Sequence, residues 1–495
     1  MEEVIMQQEA RGQINSSTSL RINGEQSRTI KFGTDGWRAV IADNFTFHNV
    51  RVLTQAVCDY INQDLADKPK QVAVGYDTRF LSDKFAETVC EVMAANNIAV
   101  SLSQKAVPTP AVSFVTKHGS FALGIVLTAS HNPPEFNGFK IKDARGGSAD
   151  IAITHKVETL LGESAVKSLP LKEALRLGLV KRLDFESKYI KFIKSYMDLK
   201  LLKSAKFKIL QDVMYGSGSG ILEEIIKATP LKLTVMHKGI NPSFGGLRPE
   251  PVPENLEEAM HKMSKERFDL GLVLDGDADR IAAIEPGGKF ISPQQVLALL
   301  ILHLKEDRKW DGAVVKTIAG TTMIDKITKK LGIKLYETPV GFKYISNLME
   351  EENILVGGEE AGGMGFKNYI PERDGVLAGL LLIEMMAYRK KGIDKIMRDL
   401  ENEYGKYFYV KDSLHLTEVK FDKEKTLKNL PGKLLNKKIS DIKTFDGIKI
   451  IFEDEDWLML RGSGTEPIVR VYAEAKKKEV AESLVKKGKQ IILNS

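Results

Sequence analysis

The sequence predicts an α/β protein of several strand-loop-helix units, and three observations carry that prediction. Short apolar runs rich in β-branched residues alternate with helical patterns through most of the chain. Most of these runs end in a polar or glycine-rich loop, as strands of a mostly parallel sheet do at their carboxyl ends, where ligands usually bind. The last stretch has another texture, with strand-like runs that follow one another before a final helix.

The strand-like runs are QVAVGYDTR (71–79), FALGIVLTAS (121–130), FKILQDVM (207–214), FDLGLVLDG (268–276), GAVVKTIAGTT (312–322) and NILVGGEEAGG (353–363). Their recurrence suggests several similar domains, although no short-period sequence repeat exists. Charged helical stretches near 181–205 and 387–407 are candidate separators, and PGGKF (286–290) reads as a hairpin turn at another break. Near the end, LHLTEVKF (414–421), IKIIFED (448–454) and WLMLRGSG (457–464) read as antiparallel strands of a smaller α+β domain.

At 495 residues, 43% hydrophobic and 28% charged, the chain has the composition of a globular protein of about three or four domains. The longest apolar candidate, VLAGLLLIEMMAY (376–388), is too short to span a membrane and carries Glu384 in its middle, so no membrane association is expected. The first 27 residues are polar, lack a secretory signal and are expected to fray. Cys58 and Cys90 lie in helix-like apolar patterns, read as buried free thiols, and fit a reducing, cytoplasmic location. The net charge of +6 comes from 72 basic and 66 acidic residues spread along the chain, which gives no indication of nucleic-acid binding. The densest basic run, EAKKKEVAESLVKKGKQ (474–490), keeps Val480, Leu484 and Val485 at helical spacing and reads as the solvated face of an amphipathic helix.

Four loops look chemical. In TASHNPP (128–134), Ser130 lies just beyond an apolar strand, where it could be a nucleophile, a phosphate carrier or an ordinary cap. Adjacent side chains of extended backbone point apart, which argues against direct chemistry between Ser130 and His131. In LVLDGDADR (272–280), Asp275, Asp277 and Asp279 stand at alternate positions, so they can converge on one side of an extended segment. That much negative charge needs a cation, and hard oxygen ligands suit Mg2+. An EF-hand is excluded, because Arg280 and Pro286 occupy the positions that need glycine and glutamate.

In GGEEAGG (357–363), glycines permit close backbone approach while Glu359 and Glu360 offer acceptors suited to sugar hydroxyls. In RGSGTEP (461–467), Arg461 supplies a fixed cation and Ser463, Gly464 and Thr465 supply hydroxyl and backbone donors, a nest shaped for phosphate. No lysine follows in the Walker arrangement, and GSGSG (216–220) misses the dinucleotide spacing because Ile221 replaces the third glycine.

Taken in order, FGTDGWRA (32–39), TASHNPPEFNGFKI (128–141), DGDADR (275–280), GGEEAGG and RGSGTEP resemble the α-D-phosphohexomutases, the phosphoglucomutase and phosphomannomutase family. AVPTPAV (106–112), FGGLRPEPVPENL (244–256) and ETPVGFKYI (337–345) also look like this family. The resemblance implies three similar mixed α/β domains and a smaller, mobile α+β domain around a central cleft. On this basis the segments are 1–27, a phosphoserine domain 28–188, a metal-binding domain 189–286, a sugar-recognition domain 287–404 and a phosphate-binding domain 405–495.

It further implies that Ser130 carries the transferable phosphoryl group and shares Mg2+ with Asp275, Asp277 and Asp279. Arg38, His131 and Lys140 would act beside the phosphoserine, with Lys140 and His131 resembling residues of binding and proton transfer. Arg280, Lys343, Glu359, Ala361, Arg461, Ser463, Gly464, Thr465 and Arg470 would bind substrate. The reaction would interconvert hexose 1-phosphate and hexose 6-phosphate through a hexose 1,6-bisphosphate, with small-molecule sugar phosphates as partners and a monomer or dimer as the working form.

Many members have serine where Ala361 stands, and some have histidine where Gly363 stands, which bears on sugar specificity rather than transfer. The pair Glu359 and Glu360 looks more like glucose-type members than the glucosamine branch, so the expected substrate is glucose, with mannose second and glucosamine as the alternative. A haloacid-dehalogenase-like phosphatase using Asp275 as nucleophile would leave TASHNPP and RGSGTEP unexplained. A sugar-phosphate sensor without turnover is disfavoured by Ser130 and the three aspartates occurring together.

Overall fold

The computed structural model describes residues 30–416, 421–462 and 468–493. They fall into two compact units, one running to Phe290 and including Asn368–Leu380, the other made of Ile291–Lys367 and the chain from Leu381 onward. Each unit holds two sheets.

In the first unit, β1 (Trp37–Val40), β2 (Gln71–Tyr76), β3 (Ala99–Ser103), β4 (Leu123–Leu127), β5 (Phe136–Lys142) and β6 (Val180–Leu183) form a sheet in the order β1-β5-β4-β2-β3-β6. Its second sheet, ordered β11-β10-β9-β7-β8, contains β7 (Lys208–Asp212), β8 (Lys232–Met236), β9 (Leu270–Leu274), β10 (Ile281–Ile284) and β11 (Phe290–Ile291). In the second unit, β12 (Ala313–Thr317), β13 (Leu335–Thr338), β14 (Ile354–Gly358) and β15 (Met364–Phe366) are ordered β13-β12-β14-β15.

These three sheets repeat one plan. A parallel trio (β4-β2-β3, β9-β7-β8, β14-β12-β13) gains an antiparallel neighbour from the strand that follows its outer member. TASHNPP, DGDADR and GGEEAGG are therefore equivalent connections, β4 to β5, β9 to β10 and β14 to β15. The similarity expected from alternation alone is thus topological, which explains why no residue-level repeat betrays it.

Local sequence dictates these elements. The runs LGIVL of β4 and LGLVL of β9 are buried at every position, as central strands covered on both faces must be. Thr46 caps the helix Phe47–Asp64 by accepting the Asn49 N–H at 3.1 Å, and Ser292 with Gln295 forms a reciprocal capping box on Pro293–Leu302. Cys58 and Cys90 are free and buried in the core of the first sheet, as expected. No helix among the described residues is long and apolar enough to cross a membrane. Glu384, the charge inside the apolar helix Gly375–Arg389, is fully buried yet bonded by Arg308 Nε and Nη2 at 2.5 and 2.7 Å and by the His303 ring at 3.1 Å.

The last sheet is wholly antiparallel in the order β16-β21-β20-β19-β18-β17, with β16 (Phe408–His415), β17 (Lys433–Leu434), β18 (Lys437–Lys443), β19 (Ile448–Phe452), β20 (Trp457–Gly462) and β21 (Ile468–Ala475). Its first strand lies upstream of the expected 414–421, of which 417–420 fall outside the described residues. The sequence FYVKDSLH hides it because Lys411 and Asp412 interrupt the alternation on an exposed face. The closing helix Lys478–Leu493 buries Ala481, Leu484, Val485 and Ile492, while its lysines face solvent as expected.

Candidate active site

In the first unit, two loops are pressed together at Ser130. Its Oγ donates to Asp275 Oδ2 at 2.7 Å, across 145 residues of sequence. A Cβ on Gly276 would stand 2.6 Å from the Ser130 carbonyl oxygen, so this close approach of backbones requires glycine. The sequence GSGSG has a similar duty, since the Ser217 N–H and hydroxyl both bond the Gly276 carbonyl.

Ser130 takes a left-handed backbone conformation with φ of +52°. This breaks extended alternation, so His131 does not point away: its Nδ1 lies 3.4 Å from Ser130 Oγ, correcting the expectation that neighbours are held apart. The unusual backbone is held by Arg79, whose buried guanidinium donates to the carbonyls of Ser130 and Asn132 at 2.6 Å each, Pro133 at 2.8 Å and Phe136 at 3.0 Å. Asp77, buried beside Arg79, accepts from Thr128, whose hydroxyl in turn accepts the Ser130 N–H at 2.8 Å.

The carboxylates of Asp275, Asp277 and Asp279 offer ligand atoms within 4.8 Å of one another. They converge through a tight turn with Ala278 at φ +55°, not through the extended segment expected from spacing. All three residues are fully buried. The Oδ1 atoms of Asp277 and Asp279 have no hydrogen-bond partner, which is costly in a buried site unless a cation takes them. Burial, followed by repulsion from Asp277 and Asp279, pushes the Asp275 carboxyl well above the ordinary range. The donor set and its orphaned oxygens fit a hard divalent cation.

Cations surround this cluster. Lys140 Nζ lies 2.8 Å from Asp277 and Asp35 and 3.1 Å from Asp279. Burial alone would lower Lys140, but these carboxylates outweigh it and hold the ammonium protonated. Arg38 donates to Asn132 Oδ1 at 2.9 Å, and the Arg280 side chain is 3.9 Å from Asp279 while its N–H bonds Asp275 Oδ1 at 3.1 Å.

Sequence reasoning missed several members. Arg373, from the returning segment Asn368–Leu380, bridges Asp35 at 2.5 Å and Asp279 at 2.8 Å. Glu372 pairs with buried Lys142, and Thr109 donates to Asp277 Oδ2 at 2.6 Å. Thr109 and Asp35 lie inside segments already singled out, whereas Arg79 and Arg373 had no signal beyond being charges next to apolar runs.

The second unit holds the remaining candidates. Glu359 is buried in a turn closed by its N–H to the Gly363 carbonyl at 2.9 Å, with Ala361 half-buried in that turn. Glu360 is engaged within the protein, since its Oε2 accepts from Thr317 at 2.7 Å. Lys343 opens the helix Phe342–Glu351 and its ammonium lies 5.3 Å from the ring centroid of Tyr344. Arg461 stands directly across from Arg470 on β20 and β21. Asp446 holds Arg461 Nε through both oxygens at 2.9 Å. Ser463, Gly464 and Thr465 lie outside the described residues.

Comparison with known proteins assigns the family. Profiles described as "Phosphoglucomutase/phosphomannomutase, alpha/beta/alpha domain" I, II and III match residues 29–166, 187–288 and 292–404, and the "C-terminal domain" profile matches 416–487. The chain belongs to the phosphoglucomutase/phosphomannomutase family. A phosphoglucomutase/phosphomannomutase of Thermococcus kodakarensis is 30% identical over 93% of this chain and 98% of its own length. A phosphoglucosamine/phosphogalactosamine mutase of Sulfurisphaera tokodaii is 29% identical over 93% and 98%. A crystal structure from Thermus thermophilus, assigned provisionally as a phosphomannomutase, superposes with a TM-score of 0.83 at 32% identity, covering 96% of this chain and all of that one. The chain is thus an isomerase of the phosphohexomutase superfamily, and the dehalogenase alternative has no support.

Proposed function

We propose that this chain interconverts the 1- and 6-phosphates of a hexose, glucose first and mannose second, through a phosphoserine at Ser130 and a hexose 1,6-bisphosphate. The observation that carries this reading is the 2.7 Å contact of Ser130 Oγ with Asp275, inside a buried trio in which two oxygens lack a hydrogen-bond donor. Asp275, Asp277 and Asp279 would hold Mg2+, which when bound supplies neutralisation of phosphate charge.

In the forward half-reaction the bond from Ser130 Oγ to phosphorus breaks while a sugar hydroxyl oxygen bonds phosphorus, and the proton of that hydroxyl leaves. His131, beside Ser130 Oγ, is positioned to take it and to deliver it to Oγ as the bond to phosphorus breaks, since Lys140 is locked as an ammonium by three carboxylates. Arg38, Arg280 and Lys140 offset the charge carried by the transferring group. In the return half-reaction the bond from the sugar oxygen to the other phosphorus breaks as that phosphorus bonds Ser130 Oγ, and the proton of Oγ passes by way of His131 to the sugar oxygen. Glu359 and Lys343 would bind the sugar, while Arg461, Arg470 and the 463–465 loop would grip the phosphate that is not reacting.

The alternative is glucosamine phosphate, the substrate class named for the Sulfurisphaera tokodaii relative. Glu360 speaks against an exact copy of that branch, because an acid rather than an amide bonds Thr317. We place the enzyme in the cytoplasm as a monomer or dimer, acting on small sugar phosphates and neither on nucleic acid nor at membranes. The test is a coupled assay with α-glucose, mannose and glucosamine 1-phosphates, each with Mg2+ and catalytic bisphosphate. Fastest turnover of the glucose ester supports the reading, and preference for the amino sugar replaces it with the alternative.

A further inference from the structure

The turn that joins β18 to β19 brings a carboxylate to a place no motif marked. Gly447 there has φ of +83°, and a Cβ on it would stand 2.3 Å from the Leu460 carbonyl oxygen, so the turn lies flat against β20 where Arg461 begins. Asp446 is thereby delivered to Arg461, with both carboxylate oxygens 2.9 Å from its Nε. The same Oδ2 accepts the backbone N–H of Val340 at 2.8 Å, from the loop that runs into Lys343. The two side chains are largely covered, at 17% and 14% exposure. Val340 itself packs in one apolar cluster with Ile318, Trp457, Met459 and Tyr472.

We infer that Asp446 is a positioning residue: it fixes the plane of the Arg461 guanidinium and sets that plane against the loop bearing Lys343. Taking up Nε matters because a bidentate grip on phosphate by the terminal nitrogens demands one orientation of the fork. The bond to Val340 matters because it ties the clamp on one sheet to a substrate loop on another sheet of the same unit. Loss of either tie lets Arg461 swing without changing any group that touches the reacting atoms. This inference rests on the assignment of Arg461 to the substrate phosphate.

The experiment is saturation kinetics with glucose 1-phosphate for Asp446→Ala, Asp446→Asn, Arg461→Ala and the Asp446→Ala/Arg461→Ala double variant, with thermal melts of each. Asp446→Ala should raise KM by about threefold to tenfold, no further than Arg461→Ala raises it, and change kcat much less. In the Arg461→Ala background the same substitution should add less than about twofold, which a merely structural role would not produce. Asp446→Asn, which keeps an acceptor for Val340, should fall between, and it supplies the reading if the alanine variant does not fold. A KM within about twofold of the parent for both Asp446 variants, or single effects that multiply in the double variant, overturns the inference. An unchanged KM for Arg461→Ala overturns instead the phosphate assignment beneath it.

Discussion

The cluster around Ser130 and the pair at Arg461 differ in how far they are withdrawn from solvent. In the first unit, Ser130, Lys140 and the three aspartates are each at most 1% exposed, and Arg79, Thr128 and Arg373 bind them or the backbone beneath them. In the second unit, Arg461 and Asp446 remain partly accessible, although the sheets that carry the substrate candidates share an apolar cluster and several hydrogen bonds. Phosphoryl transfer needs fixed charge shielded from water, whereas recognition needs groups that a sugar phosphate can reach. On the proposed assignment, the reacting oxygen and its acidic partners are shut away from water while the pair that would grip the phosphate stays within reach of a substrate.

That contrast breaks most sharply at Ser130. Ser130→Ala should cost at least about a thousandfold in kcat while the melting transition stays in place, and near-normal turnover would reject the covalent route. Gly276→Ala sharpens the contrast without touching a charge. Its Cβ would meet the Ser130 carbonyl at 2.6 Å, displacing the serine from the aspartates and lowering kcat by about a hundredfold. Arg461→Ala tests the accessible side: KM for the sugar phosphate should rise about tenfold or more with a smaller change in kcat.

The last prediction concerns stability and pH rather than turnover. Burial, reinforced by Lys316, lowers the Lys449 ammonium to about 7, with Glu337, Asp325 and Glu474 opposing, while its Nζ bonds the Ile318 carbonyl at 2.6 Å. Between about pH 7 and 10.5 the unfolded chain therefore binds more protons at this lysine than the folded one, so its contribution makes stability rise with pH across that window. Thermal melts from pH 6 to 10 should show a shallower rise for Lys449→Met than for the parent, and identical slopes would refute the assignment.

Much of this was legible in the chain. The six apolar runs are all strands, and the acidic trio was recognisable because carboxylates at the end of a buried strand need a partner. Less legible were residues whose role depends on distant backbone. Arg79 reads as an ordinary charge until it is seen binding four carbonyls of the Ser130 loop. Glu384 resembles a flaw in an apolar helix until Arg308 and His303 close on it.

By itself the sequence determined the alternation of strand and helix and the order of the candidate loops, because side-chain periodicity and glycine placement are local properties. Only the tertiary structure decided that the three candidate loops of the α/β sheets occupy equivalent connections, that His131 turns toward Ser130, and that Asp446 holds Arg461. Those facts depend on left-handed backbone and on contacts across tens to hundreds of residues, which local propensity cannot encode.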